Sequence, residues 1–171
     1  TTIITMMRLV ATTTGPIIEI GSGEGALTLP LAQTGRPLTA IEIDARLAAG
    51  LSQRLPADVN VVAQDFLTYR LPTTPHVLIG NLPFHQTTAM LRRILHAPAW
   101  TEAILLVQWE VARRRAGVGG ATMMTAQWAP WFEFTLHARV PSRAFTPRPG
   151  VDGGILSIYR RKHPLLPSEQ R

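Results

Sequence analysis

Short apolar runs rich in Val, Ile and Leu alternate with helical patterns along most of this chain, and that alternation limits the fold more than any other feature. The predicted strands are Ile17–Ile20, Leu38–Glu42, Asn60–Ala63, His76–Gly80, Ile104–Gln108, Phe132–Val140 and Gly154–Arg160. The predicted helices are Thr2–Ala11, Gly25–Gln33, Ala45–Arg54, Gln86–His96, Glu110–Arg115 and Thr122–Trp128. Runs such as AILLV, apolar at every position, suit parallel strands covered on both faces. Strand–helix–strand repetition then argues for an α/β fold: a doubly wound, mostly parallel seven-stranded sheet with helices on both sides. Only a Pro-rich loop, PSRAFTPRPGVDG, joins the final two strands, so they are expected to pair antiparallel and finish the sheet. A chain of 171 residues is one domain on this reading.

In such sheets ligands gather beyond the carboxyl ends of the strands. Four motifs fall there. Gly21, Gly23 and Gly25 follow the first strand, where glycine permits a tight turn and close approach of backbone to ligand. Read alone, they need be no more than a strand-to-helix turn. The spacing does not meet G-x-G-x-x-G, and no lysine follows as in a triphosphate loop. Glu19, inside the first strand, is a carboxylate in an apolar run and needs a polar partner, which an amino group on a ligand would supply. Glu42 closes the second strand, where an acid can accept from both ribose hydroxyls. Asp44 is expected to cap the next helix. Asp65 follows the third strand and can accept from an exocyclic adenine amine. Ser22, Ile43 and Phe66 adjoin these positions and, with Asn81 after the fourth strand, complete the expected cofactor set. Together they describe a pocket for an adenosine without phosphates, which S-adenosylmethionine fits and a dinucleotide does not.

Asn81-Leu82-Pro83-Phe84 follows the fourth strand. An adenine amine is a weak nucleophile because its lone pair is delocalised into the ring. Two acceptors, the Asn81 side-chain oxygen and the Leu82 carbonyl, can take its hydrogens and direct the lone pair. Pro83 removes a donor and stiffens the turn. Phe84 is placed to stack on the base. Phe145, in AFTPRPGVD, is a second candidate for packing against the base, with a core anchor as the alternative.

Charge is unevenly placed. Residues 1–86 hold five Arg against six Asp and Glu, whereas residues 87–171 hold twelve Arg and Lys against five acids. A near-neutral front half and a basic back half suit a small-molecule site beside a phosphate-rich partner. Arg113, Arg114, Arg115, Arg143 and Arg148 are the candidate RNA contacts, with one of the consecutive three expected to pair with Glu110 and the others to be solvated. Trp109, Trp128 and Trp131 read as core residues. The chain has no cysteine, so disulfides and thiolate metal sites are excluded, and its five histidines show no ligand spacing, so no metal is expected. Lacking an apolar run of the ~18–20 residues that span a bilayer and any signal peptide, it is expected to be cytoplasmic. A monomer is expected.

The motifs in this order, TGPIIEIGSGEGALTLPLA, EID, QDF, NLPF and AFTPRPGVDGG, resemble the erythromycin-resistance (Erm) rRNA adenine N6-methyltransferases, relatives of the small-subunit dimethyladenosine transferases. The likeness covers nearly the whole chain, and VQWEVARRRAGVGGATMMTAQW resembles the actinomycete type. It implies a Rossmann-like S-adenosylmethionine-dependent fold and methylation of one adenine in the peptidyl-transferase region of 23S rRNA. Resistance to macrolides, lincosamides and streptogramin B would follow. By the family pattern Glu42 binds the ribose, Asp65 the cofactor adenine, and Gly21 and Gly23 approach the methionine part. Asn81, Leu82 and Phe84 hold the substrate base, with Phe145 near it. The family's Gln-Asn-Phe cofactor segment and small C-terminal helical domain lie outside this sequence. Residues 1–160 are read as the catalytic domain and 161–171 as a linker. The competing readings are a small-subunit dimethyladenosine transferase, a DNA adenine methyltransferase, and a silent nucleic-acid-binding module on the same fold.

Overall fold

The computed structural model describes residues 1–120 and 123–167. Seven strands form one sheet in the order β3-β2-β1-β4-β5-β7-β6. They are β1 (Ile17–Ile20), β2 (Leu38–Glu42), β3 (Asn60–Ala63), β4 (His76–Asn81), β5 (Trp100–Gln108), β6 (Phe132–Val140) and β7 (Gly153–Arg160). The first five run parallel, and β7 lies antiparallel between β5 and β6. The helices are α1 (Thr2–Ala11), α2 (Thr28–Ala32), α3 (Ala45–Ser52), α4 (Thr87–His96), α5 (Trp109–Arg115) and α6 (Met123–Trp128). The expected start of the last helix at Thr122, and residues 168–171 of the expected linker, lie outside the described residues.

Burial follows the strand positions. The first five residues of β4 are buried and only Asn81, at its end, is exposed. That pattern marks a central parallel strand with helices on both faces. β6, at the edge, instead alternates exposed with partly buried positions. Successive side chains of β4 and β5 enter opposite cores: Leu78, Ala103, Leu105 and Val107 pack on the α4 side, and Ile79, Ile104 and Leu106 on the side of α1 and α2. Gly80 is fixed by a close approach, because a Cβ there would drive into the Ile20 carbonyl of the neighbouring strand.

Several boundaries differ from the sequence expectation, each for a local reason. The helix expected from Gly25 begins at Thr28. Gly25 has φ +89° and donates its N–H to the Ser22 carbonyl, so the glycine turn runs on into the expected first helical turn. β5 begins at Trp100 rather than Ile104. Trp100 is fully buried, donates from Nε1 to the Ile94 carbonyl at 2.7 Å, and stacks on Phe132 at 5.1 Å. The Arg160 guanidinium lies 4.6 Å from its ring centre and donates from Nε to its carbonyl at 2.7 Å. An aromatic anchor of this kind is worth about 3–5 kcal/mol against alanine, enough to draw Thr101 and Glu102 into the strand. No helix among the described residues is long and apolar enough to cross a membrane.

Candidate active site

One cavity of about 500 Å³ opens above the carboxyl ends of β1, β2, β3 and β4. Among the expected cofactor residues it is lined by Gly21, Glu42, Ile43, Asp65, Phe66 and Asn81. It is also lined by Leu82, Pro83, Phe84 and Phe145, so the cofactor candidates and the base-holding candidates share one space. Glu19, Ser22 and Gly23 do not line it; Glu19 is buried within β1, and Ser22 and Gly23 belong to the glycine turn itself.

The glycine turn brings β1 against the β4 end. Gly21 has φ +72°, and a Cβ on it would stand 3.5 Å from the Asn81 carbonyl oxygen. The positive φ favours glycine there, while the 3.5 Å approach is ordinary contact. Glu42 is buried, with its carboxylate held by two backbone donors: Gly23 N at 2.6 Å on Oε2 and Asp44 N at 2.9 Å on Oε1. The acid thus braces the glycine turn at the mouth of the cavity. Asp44 caps α3, accepting from Arg46 N at 2.8 Å and Leu47 N at 3.3 Å, as its position suggested. Asp65 accepts from Leu67 N at 2.8 Å through Oδ1. Phe66 is buried, with the Arg93 guanidinium 5.7 Å from its ring centre.

Three buried polar groups near the turn are left unsatisfied: Glu19 Oε2, Ser22 Oγ and Thr28 Oγ1 have no hydrogen-bond partner among the described residues. Buried polar atoms are nearly always paired, which sets this group apart from the rest of the core. Burial pushes the Glu19 carboxyl up to about 7; the adjacent Thr28 hydroxyl opposes the shift and the Glu42 charge adds to it.

Asn81 is the last residue of β4, in register with Leu106 of β5. Leu82 is almost fully buried and donates its N–H to the Leu106 carbonyl at 2.9 Å. The Pro83 carbonyl accepts from Gln86 N at 3.0 Å and from Thr87 Oγ1 at 3.2 Å. The turn is therefore clamped to β5 on one side and to the start of α4 on the other. Phe84 is half-buried, and Phe145 meets it edge-on at 6.0 Å with the planes 70° apart. Phe145 also packs on the core, as the anchor reading expected.

Residues that sequence reasoning missed complete the walls. Ile20 and Ile41 form apolar surface at the strand ends, Gln86 and Met90 face in from α4, and Thr146, Pro147 and Pro149 come from the Phe145 loop. The signal for Gln86 and Met90 was available: α4 starts three residues after Phe84, and residues four apart share a helix face.

The arginines divide. Arg143 and Arg148 are exposed on the β6–β7 loop. Arg113 pairs with Glu110 at 2.9 Å, as expected for one of the three, and Arg114 Nε lies 3.9 Å from the same carboxylate. Arg115 corrects the expectation of a solvated side chain. It is only 9% exposed, and its Nε has no hydrogen-bond partner among the described residues. Consecutive helical residues splay by about 100°, and the third points inward. Trp128 and Trp131 are core residues as expected, but Trp109 is only half-buried. No cluster of three or more His, Asp or Glu with metal-binding geometry occurs among the described residues.

Comparison with known proteins identifies the family. The family model described as ribosomal RNA adenine dimethylase matches residues 3–170. An rRNA adenine N-6-methyltransferase of Corynebacterium diphtheriae is 63% identical over 167 residues, covering 97% of this chain and 66% of that protein. The mycinamicin-resistance protein MyrB of Micromonospora griseorubida is 49% identical over 156 residues, covering 91% of this chain and 50% of that one. The crystal structure of the 23S rRNA methyltransferase ErmE shares the fold with a TM-score of 0.89 at 37% identity, over 96% of this chain and 70% of that chain. The chain spans half to two-thirds of the length of these two curated relatives. By the extent of the family match and the order of its motifs, this chain belongs to the ribosomal RNA adenine dimethylase family.

Proposed function

We propose that this chain is the catalytic domain of an S-adenosylmethionine-dependent methyltransferase. Its target is N6 of one adenine in the peptidyl-transferase region of 23S rRNA, and the methylation confers macrolide, lincosamide and streptogramin B resistance. The observation that carries the proposal is the shared cavity: Asn81, Leu82 and Phe84 face the same space as Gly21, Glu42 and Asp65. The names borne by similar proteins, a mycinamicin-resistance protein and a 23S rRNA methyltransferase, support the choice of substrate and phenotype.

The residues fit the cofactor. Glu42 accepts from the ribose and Asp65 from the adenine amine, with Ile43 and Phe66 as apolar walls. Gly21 and Gly23 give room for the methionine part. Glu19, in β1, and Ser22, in the turn, each keep an unpartnered oxygen, which supports their place in the expected set for an ammonium group. Bound there, S-adenosylmethionine supplies an electrophilic methyl.

The protein's own work is placement. The Asn81 side-chain oxygen and the Leu82 carbonyl accept the two amine hydrogens of the target adenine and keep its lone pair aimed at the cofactor side. The clamps on Leu82 and Pro83 hold those acceptors still before the base arrives, which is where such sites gain rate. Phe84, with Phe145 behind it, stacks on the extruded base and offsets part of the few kcal/mol that extrusion costs. The amine needs no base before it attacks, because its proton is lost only after nitrogen becomes cationic. Arg143 and Arg148 contact RNA phosphates in this reading, with Arg113 and Arg114 as further candidates. The protein acts as a cytoplasmic monomer; residues 1–160 form the catalytic domain, and the stretch read as a linker stays hydrogen-bonded to it as far as Leu165, whose N–H donates to the Pro130 carbonyl at 2.8 Å.

Labelled methyl transfer to protein-free 23S rRNA, to 16S rRNA within small subunits and to duplex DNA tests this directly, with mass mapping of the product. Methylated adenine in 23S rRNA alone is expected. Label in 16S rRNA or DNA would replace the assignment, and tight RNA binding with no label on any substrate would point to a silent binding module.

A further inference from the structure

We propose that a second cavity, beside the first, binds the base of a nucleotide adjacent to the target adenine on the same RNA strand. The inference rests on the methyl-transfer reading and adds a recognition element to it.

This cavity, about 440 Å³, is lined by Gln108, Trp109, Glu110, Arg139, Val151 and Asp152. It stands at the carboxyl end of β5, one strand over from Asn81, whose register partner Leu106 lies three residues before Trp109. The two cavities share a wall. Phe145, Thr146, Pro147 and Pro149 of the β6–β7 loop face the first, and Val151 and Asp152 of the same loop face the second. A single strand with one base in the first cavity passes over this loop to reach the second.

The chemistry of the second cavity suits a base. The Arg139 guanidinium lies 5.1 Å from the Trp109 ring centre and donates from Nε to Asp152 Oδ2 at 2.8 Å. Asp152 is itself fixed, accepting from Ser142 N at 2.8 Å through Oδ1, while its carbonyl accepts from Trp109 N at 2.8 Å. Indole, guanidinium and carboxylate are thus arranged before any ligand arrives, and the Arg139 side chain remains 58% exposed. A guanidinium plane backed by an indole is a platform on which nucleobases stack. A phosphate is the poorer ligand here, because the Glu110 and Asp152 carboxylates line the same space and Asp152 already offsets the Arg139 charge. The site also accounts for Trp109, which the core leaves half-buried while it buries Trp128 and Trp131.

The test uses a short RNA hairpin carrying the target adenine, with the nucleotide on either side made abasic in turn. For the unaltered protein, one of the two abasic changes should raise KM about tenfold, the effect of losing one stacked base. Trp109→Ala and Arg139→Gln should raise KM on intact RNA by a similar factor, with the loss falling on KM rather than kcat, and should lose little more on that abasic RNA. Arg139→Gln serves if Trp109→Ala fails to fold. In a binding assay without cofactor, 2-aminopurine at the same flank should be quenched by the unaltered protein and not by either variant. The proposal falls if the protein tolerates abasic sites on both flanks, or if the variants lose as much on abasic as on intact RNA. It falls too if a methylphosphonate linkage, rather than base removal, erases the difference between protein and variants. If 2-aminopurine is quenched but no RNA accepts methyl, the subsite stands and the methyl-transfer reading fails; methyl transfer without quenching sinks the subsite alone.

Discussion

The cleft above β1, β2 and β4 is mostly apolar walls and backbone, and its acids Glu42 and Asp65 are already engaged by backbone N–H groups. The neighbouring edge, from α5 to the β6–β7 loop, is made of arginine side chains with large exposed fractions. One region is fixed in shape by strand register and buried hydrogen bonds. Beyond the prearranged Arg139, the other presents exposed charge at Arg114, Arg143 and Arg148, which suits a polyanion. On the proposed function, precision of placement belongs to the ends of the parallel strands, and affinity for nucleic acid to the basic flank. Perturbing the two should give effects of different kind as well as different size.

The sharpest break is expected at Asn81. Replacing it with Ala should lower turnover by roughly a thousandfold, at the upper end for losing one prearranged polar group, while cofactor affinity measured by calorimetry changes little. A parallel loss of cofactor binding would mean that Asn81 serves the cofactor, and the division of labour within the cleft would fail.

Next in size is the buried acid. Glu19 titrates near 7 in the folded protein against 4.5 unfolded, so the folded state holds its proton more tightly. Its stabilising contribution is complete below pH 4.5 and is lost as pH rises through 7, by up to about 3 kcal/mol. Urea midpoints from pH 5 to 8 should fall for the unaltered protein and fall less for Glu19→Gln. Parallel curves would place the acid in a better-solvated setting than its burial indicates.

Phe84→Ala should reduce kcat/KM for RNA by about ten- to a hundredfold, the range for one stacked base, and Phe84→Trp should retain much of the activity. Equal losses would remove stacking from the account. The smallest changes belong to the flank. Arg143→Ala and Arg148→Ala should each lower the slope of log Kd against log salt by about one. Arg115→Ala should leave the slope alone, because its buried side chain cannot reach a phosphate. A changed slope for Arg115 would erase the distinction between buried and exposed arginines drawn here.

Much of this was legible in the chain itself. The strand–helix alternation located all seven strands, since β-branched apolar runs in parallel sheets need no long-range information to be recognised. The cap at Asp44 and the pairing of Arg113 with Glu110 were readable because both depend on residues two to three apart. What escaped was set by distant partners. The β5 start at Trp100 depends on Phe132 and Arg160, and nothing in WTEA announces it. The burial of Arg115 depends on which face of a seven-residue helix meets the sheet. In the site, spacing pointed to Glu42, but its bond to Gly23 N joins residues nineteen apart and needed coordinates. The half-burial of Trp109, on which the second subsite rests, has no local signature either.

The strand made last in sequence sits in the interior of the sheet, between β5 and β6, and the loop it pulls into position carries Phe145. Polypeptide synthesis is vectorial, so a nascent chain that stops short of residue 153 leaves β6 unpaired and the rim of the cleft open. Until β7 has emerged and slotted home, the edge-on contact of Phe145 with Phe84 has no finished sheet to rest on.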